Sequence, residues 1–120
     1  MGRSEAWTAA ALLGQVRMGE AEAAAVARLL DLNDEAQALL RECPSKGSLD
    51  SVVPVDPLLY RFHEILQVYG TTLKALIHEK CGDGIMSAID FEMDVEHVPD
   101  PKGHRIKITM NGKFLPYRVW

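Results

Sequence analysis

Apolar residues recur at helical spacing through the first third of the chain. Alanine and leucine dominate residues 5–14 and give way to Gly14. Alanine is the best helix former, and glycine commonly follows a helix end. Residues 20–30 repeat the pattern with alanine, valine and leucine three and four positions apart. Asn33 can cap the next segment, so the pattern predicts a third helix over residues 34–43.

A proline- and glycine-containing segment, residues 44–57, is the best candidate for a linker. Its last two residues, aspartate and proline, are typical of a helix start and predict a helix over residues 57–69 that ends at Gly70. A further short helix, capped by Thr71 or Thr72, is predicted through about Lys80. At about 100° per residue, one stripe of the first of these helices collects Leu58, Phe62, Ile65, Leu66 and Tyr69.

The hydrophobic period then changes from about 3.6 to 2, after a glycine-rich turn. Apolar and acidic residues alternate without a break over residues 89–96, which predicts a half-buried strand. Residues 100–103 form a predicted turn, and apolar residues alternate again over residues 105–110. Asn111-Gly112 is a strong hairpin signal and predicts a second turn that leads into residues 113–115.

Helices followed by a short antiparallel sheet define an α+β class. Two or three strands with one apolar face are not stable alone, so the sheet needs helices of its own chain or a partner to cover that face. Apolar residues near the C-terminus add to the apolar surface that must be buried. We therefore expect the C-terminal half to pack against another subunit, and we divide the chain into a helical region, residues 1–43, and a C-terminal domain, residues 44–120.

Composition limits the classes of protein that fit. A chain of 120 residues is enough for one small domain, and oligomerisation is a ready way for such a domain to bury more surface. The formal net charge of −4 disfavours nucleic acid as a partner. No apolar run approaches the roughly 20 residues that span a bilayer, and no basic and apolar leader is present. We expect a cytoplasmic protein whose two cysteines, Cys43 and Cys81, are reduced and at least half buried.

Arg61 and Glu64 stand three residues apart on the shoulder of the apolar stripe. The simplest interpretation is a surface ion pair, which stabilises a helix by a few tenths of a kcal/mol. The functional interpretation is a partly buried arginine that binds an anion at an interface. Arginine suits that function because its guanidinium stays charged and its donors match planar carboxylates.

The familiar signatures of nucleotide, zinc-protease and serine-hydrolase sites are missing from the sequence. The four histidines, His63, His78, His97 and His104, have no close metal-ligand spacing, so no metal is expected. Ser87 follows the glycine-rich turn at a strand start, where a small polar residue is ordinary. No histidine base adjoins it in sequence, but a serine that hydrogen-bonds an anion needs none.

Residues 56–91 closely resemble the signature of the cyanase (cyanate hydratase) family. The shared features are a tyrosine-arginine-x-x-glutamate helix, a leucine-glutamine-valine-tyrosine-glycine stretch and a glycine-aspartate-glycine-isoleucine-x-serine-alanine-isoleucine turn. The resemblance extends to residues 8–15 and 112–116, and so covers nearly the whole chain.

The resemblance implies a lyase that decomposes cyanate with bicarbonate to ammonia and carbon dioxide, as in cyanate detoxification. By motif, the family's catalytic arginine, glutamate and serine fall on Arg61, Glu64 and Ser87. It also implies a homodecamer built from dimers, with sites at subunit interfaces and no metal or organic cofactor. The N-terminal helices resemble a cut-down helix-turn-helix bundle, because family members usually have about two further helices before residue 8.

Two other functions remain open at this stage. A helix-turn-helix-like DNA-binding protein would offer arginine, lysine, asparagine or glutamine to base edges, but residues 20–30 offer mainly alanines and Arg28. The other alternative is a cyanase-like oligomer that has lost activity with its N-terminal helices. Ammonia release from cyanate separates both from the enzyme.

Overall fold

The computed structural model describes residues 2–47 and 49–120. The elements, in chain order, are α1 (Glu5–Leu12), α2 (Glu20–Leu30), α3 (Asp34–Leu39), α4 (Pro57–Cys81), β1 (Gly84–Val98) and β2 (Arg105–Pro116). β1 and β2 form a two-stranded sheet. The predicted α+β class is confirmed.

By spatial proximity the chain forms two units. One comprises Met1–Ser48 with Glu92–Asn111, and the other comprises Leu49–Phe91 with Gly112–Trp120. Both strands of the hairpin therefore contribute residues to each unit. The division into residues 1–43 and 44–120 stays a prediction.

Local side-chain caps begin each of the first three helices. Ser4 Oγ accepts a hydrogen bond from Trp7 N at 3.1 Å, and Asn33 Oδ1 accepts one from Ala36 N at 2.9 Å. At the start of α2, Glu22 Oε2 accepts a hydrogen bond from Gly19 N at 2.8 Å. Each bond satisfies an amide that has no partner within its helix, and the prediction that Asn33 caps α3 is confirmed.

Small side chains form the core beside these helices. Ala11, Met18, Ala23 and Val26 are buried together, and the half-buried residues packed against them are Trp7, Val16, Leu32 and Leu40. Because alanine projects only a methyl group, helices can approach closely where it is buried. α1 and α3 are shorter than the sequence pattern predicts, since they end at Leu12 and Leu39.

Glu22 should make the stability of this helical unit depend on pH. The Arg3 side chain, 2.7 Å from Glu22 Oε1, and the Gly19 amide both hold the pKa of the Glu22 carboxyl below its usual range. A lowered pKa in the folded state contributes stability above the unfolded pKa, and this is lost as pH falls through the folded pKa. Glu22→Gln should therefore lower the melting temperature at about pH 7 and have progressively less effect below about pH 4.

The measurement is thermal unfolding of the wild type and Glu22→Gln at both ends of that pH range. Glu20→Gln is the matched control, because Glu20 lies in the same first turn of α2. If the difference in melting temperature between the wild type and Glu22→Gln is equal at neutral and acid pH, the charge of Glu22 contributes nothing to stability.

The segment from Pro57 to Cys81 is one continuous helix of 25 residues. The prediction that it ends at Gly70 and restarts after Thr71 is wrong. A single interior glycine costs a helix only about 1 kcal/mol relative to alanine, and the strong helix formers in residues 66–67 and 73–76 can offset that cost. Asp56 begins the helix as predicted, because its carboxylate accepts hydrogen bonds from Leu58 N and Leu59 N.

No side chain of α4 is buried, although the helix carries the predicted apolar stripe. Leu58, Phe62, Ile65, Leu66 and Tyr69 are all exposed. Burial of such side chains normally stabilises a fold by about 1.5–3 kcal/mol each. The stripe is therefore a large apolar surface that this chain leaves uncovered.

The hairpin has one turn, between β1 and β2, where Gly103 N donates a hydrogen bond to Asp100 O at 3.1 Å. This is the turn predicted over residues 100–103. The second turn, predicted at Asn111-Gly112, does not exist, because both residues lie inside β2. Apolar side chains of the sheet stay exposed, and Ile89 keeps 93% of its surface. The expectation of a sheet that is incomplete within one chain is confirmed.

The two cysteines are free thiols, and both are exposed. The prediction that they are at least half buried is wrong for this chain. Cys81 is the last residue of the uncovered helix α4. Cys43 lies beyond the end of α3, with Arg17 Nη1 4.0 Å from its sulfur.

Candidate active site

Arg61 and Glu64 lie one helical turn apart in α4 and form an ion pair. Arg61 Nη1 donates a hydrogen bond to Glu64 Oε2 at 2.7 Å. The side chains are 58% and 50% exposed. The spacing and the contact both match the sequence prediction, and the exposure leaves the pair open to a ligand from outside the helix.

The Arg61 guanidinium also lies against an aromatic ring. Its central carbon is 5.6 Å from the centre of the Tyr60 ring. A guanidinium has five N–H donors, and the bond to Glu64 uses one of them. The remaining donors can bind a small anion while Glu64 and Tyr60 restrict the orientation of the arginine.

Ser87 is the one buried polar residue among those described, with 7% of its surface exposed. It lies in β1, three residues after the strand begins at Gly84. Its Oγ accepts hydrogen bonds from Ile89 N and Asp90 N, both at 3.0 Å. A hydroxyl has two lone pairs and one proton, so these bonds occupy the lone pairs and leave the O–H free to donate. Ser87 is thus arranged as a hydrogen-bond donor.

Gly112 lets β2 pass directly over Ser87. A Cβ atom at this position would lie 2.5 Å from the Ser87 carbonyl oxygen and 2.6 Å from Met86 Cγ. Both distances are too short for a methyl group, and a backbone oxygen cannot rotate away. A glycine inside a strand often marks such an approach of another backbone, and that is its function here rather than a turn.

Gly112→Ala should therefore destabilise the strand pairing around Ser87, by roughly 1–3 kcal/mol as for other overpacked sites, and lower the activity. Gly70→Ala is the matched control, because a Cβ atom at Gly70 meets nothing within 4 Å. That change should be neutral or stabilising by up to about 1 kcal/mol. Urea unfolding of both variants is the measurement, and equal stabilities would contradict the proposed clash.

A pocket of about 340 Å³ lies beside these elements. It is lined by Lys74, Ile77 and His78 of α4, by residues 83–86 and by Tyr117. His78 Nε2 is 3.8 Å from Asp83 Oδ1. Sequence reasoning did not single out this pocket, because its lining comes from segments far apart in the chain. Arg61, Glu64 and Ser87 are not among its lining residues.

The structure thus brings together two of the three predicted site residues, Arg61 and Glu64. Among residues 2–47 and 49–120, no hydrogen bond or ion pair joins Ser87 to Arg61 or Glu64. Sequence reasoning also missed the contributions of Tyr60 and Gly112. A glycine between alternating strand residues was the available signal for Gly112.

Two family models together match nearly the whole chain. The description "Cyanate lyase C-terminal domain" matches residues 51–119, and "Cyanate hydratase, N-terminal" matches residues 1–44. The chain belongs to the cyanate hydratase family. The second match includes the helices that precede the linker, so the family likeness is not confined to the residues around Arg61 and Ser87.

Cyanate hydratases of other organisms are similar in sequence to this chain along its full length. A cyanate hydratase of Thiobacillus denitrificans is 60% identical over 99% of this chain and 81% of its own length. One of Ralstonia pickettii is 58% identical over 100% of this chain and 82% of its own length. The crystal structure of the cyanase from T. urticae matches with a TM-score of 0.85 and 36% identity, covering 98% of this chain and 81% of that one.

Proposed function

We propose that this chain decomposes cyanate to ammonia and carbon dioxide in a reaction that consumes bicarbonate. The observation that carries the proposal is its similarity to cyanate hydratases along nearly the whole chain, at up to 60% identity over the relatives cited above. The site residues are Arg61, Glu64 and Ser87. The first two are already paired on α4, and the third has its hydroxyl proton available.

The reaction must bring two anions together. Cyanate and bicarbonate repel each other, and the repulsion grows as the local dielectric constant falls. Arg61 keeps donors free after it binds Glu64, so it can offset the negative charge of one anion. The Ser87 O–H can donate to an oxygen of the other, and copies of these residues on neighbouring chains would complete the site. Positioning and charge stabilisation are then the main contributions of the protein.

The bond-forming step is attack of a bicarbonate oxygen on the cyanate carbon, which gives a mixed carboxy-carbamate. Breakage of its C–O bond releases carbon dioxide and leaves carbamate, which decomposes to ammonia and a second carbon dioxide. The reaction takes up one proton before carbamate forms and a second proton when carbamate decomposes. Glu64 is placed either to orient Arg61 or to transfer one of these protons.

Ser87 does not act as a nucleophile in this proposal. Its lone pairs face two backbone amides, and a nucleophilic serine would need a base to accept its proton. No metal or organic cofactor is assigned to the reaction.

The proposed location is the cytoplasm, where two free, exposed thiols are ordinary. No helix in residues 2–47 and 49–120 has the length and hydrophobicity needed to cross a membrane.

We expect the active protein to be a large homo-oligomer, with a decamer of five dimers as the specific proposal. The uncovered apolar stripe of α4 and the exposed face of the two-stranded sheet support assembly. Light scattering at micromolar concentration should give a mass about ten times the 13.3 kDa of the chain. Activity per chain should fall when dilution dissociates the assembly, and a monomer with full activity would contradict shared sites.

The direct test is ammonia release from cyanate plus bicarbonate, run beside a gel shift with random DNA. The proposed enzyme releases ammonia and does not shift DNA. A DNA-binding protein gives the reverse result. An assembled protein that releases no ammonia is an inactive cyanase-like oligomer, and the proposed function would then be wrong.

A further inference from the structure

Two histidines lie side by side at the turn end of the hairpin. His97 is the second-last residue of β1, and His104 directly precedes β2, which begins at Arg105. Their ring centres are 4.5 Å apart, and the ring planes are inclined by 52°. Both side chains are exposed. The turn between the strands creates this pair, which the spacing of the histidines along the sequence did not indicate.

We propose that His97 and His104 form a binding site for a divalent transition-metal ion of the Cu²⁺ or Ni²⁺ type. Neutral imidazole is the commonest metal ligand among side chains and suits these ions. The site is separate from Arg61, Glu64 and Ser87, and it does not rest on the proposed function.

The separation of the rings favours a particular coordination geometry. A metal about 2.1 Å from one nitrogen of each ring lies about 3.3 Å from each ring centre. When one nitrogen of each ring is turned toward the same ion, ring centres 4.5 Å apart correspond to a nitrogen–metal–nitrogen angle near a right angle. Neighbouring ligands meet at that angle in square-planar and octahedral complexes, which Cu²⁺ and Ni²⁺ prefer. A tetrahedral Zn²⁺ site would place the rings farther apart, beyond about 5 Å.

Two acidic residues close to the histidine pair in sequence, Glu96 and Asp100, already have partners. Glu96 Oε2 is 3.5 Å from Lys107 Nζ, and Asp100 Oδ1 accepts a hydrogen bond from Lys102 N at 2.8 Å. Within the described residues, no three histidine, cysteine or acidic side chains are arranged to hold a metal. The site therefore has two protein ligands, and water or an external ligand fills the other positions.

Metal binding would connect β1 to the start of β2 across the turn. An ion that binds the folded state more tightly than the unfolded state raises the melting temperature as its concentration rises. The ion competes with protons for the imidazole nitrogens, so binding should weaken as pH falls. Since the ion lies outside the proposed catalytic residues, turnover of cyanate is not expected to need it.

The test uses the assembled, full-length protein with Cys43→Ser and Cys81→Ser, because exposed thiols bind and reduce Cu²⁺. This protein is treated with a chelator and titrated with Cu²⁺ alone. Calorimetry should show one bound ion per chain, and the electron paramagnetic resonance spectrum should show two coordinated imidazole nitrogens. His97→Ala and His104→Ala should each weaken binding at least tenfold and leave at most one nitrogen. His63→Ala is the control, because His63 lies in α4 beside the Tyr60 ring and not beside another histidine.

Several results would overturn the proposal. The first is a wild-type spectrum that shows one coordinated nitrogen or none. The second is Cu²⁺ binding by His97→Ala and His104→Ala that is as tight as that of the wild type. The third is a loss of Cu²⁺ binding in His63→Ala that equals the loss in these two variants. The wild-type spectrum decides the matter even where a variant fails to assemble. A rise in melting temperature with Cu²⁺ that is absent from both variants would independently support the proposed connection of the strands.

Discussion

Arg61→Lys should lower kcat by roughly 100- to 1,000-fold while the protein stays folded and assembled. The change keeps the positive charge but removes the planar set of donors, of which only one N–H is bound to Glu64. Loss of a donor aimed at developing negative charge typically costs about 2.7–4 kcal/mol in the transition state. Steady-state ammonia release at saturating cyanate and bicarbonate is the measurement, with light scattering to check assembly.

Arg28→Lys provides the control, because Arg28 is an exposed arginine in the last turn of α2. It should leave kcat unchanged. Glu64→Gln, alone and combined with Arg61→Lys, tests whether the two residues act as a unit, in which case their effects are not additive. Near-normal turnover by Arg61→Lys would mean that Arg61 is only a surface ion-pair residue.

Removal of bicarbonate should abolish turnover, whereas removal of metal ions should not. The proposed residues bind anions and position them, but none of them lowers the pKa of water as a bound metal would. The nucleophile is then better supplied as an oxyanion already present in solution, and bicarbonate is one. Ammonia release in carbon-dioxide-free buffer should be near zero and rise saturably as bicarbonate is added.

The same assay with chelator-treated enzyme should give the same bicarbonate curve. High concentrations of bicarbonate, or of small dianions, should inhibit, because these anions occupy the cyanate position as well. His97→Ala should follow the wild-type curve, since the histidine pair lies outside the proposed catalytic residues. Undiminished turnover without bicarbonate would mean that water is the nucleophile, and the proposed mechanism would have to be abandoned.

Local sequence signals predicted the elements well wherever the deciding interaction lies within a few residues. Asn33 and Asp56 cap their helices because each side chain reaches amides two or three positions ahead. The ion pair of Arg61 and Glu64 follows from helical spacing alone. The alternation over residues 89–96 predicted a strand, and β1 extends beyond it at both ends.

The sequence pattern did not determine whether a given glycine ends an element or lies inside one. Gly70 was predicted to end a helix and Gly112 to form a turn, yet both lie inside regular elements. Glycine permits turns, helix ends and close backbone approaches alike, so its function depends on what lies next to it. At Gly112 that neighbour is the backbone of Ser87, 25 residues earlier in the chain.

Motifs and local patterns in the sequence were enough to predict the family, the α+β class, the caps Asn33 and Asp56, and the three residues proposed for catalysis. These depend on motifs and on contacts between near neighbours in the chain. The tertiary structure was needed to show that Ser87 is buried beside Gly112 of β2, and that His97 and His104 lie side by side. It also decided that α4 has no buried side chain. Periodicity shows which residues share a face of a helix, but whether that face is covered depends on contacts with residues distant in sequence or on other chains.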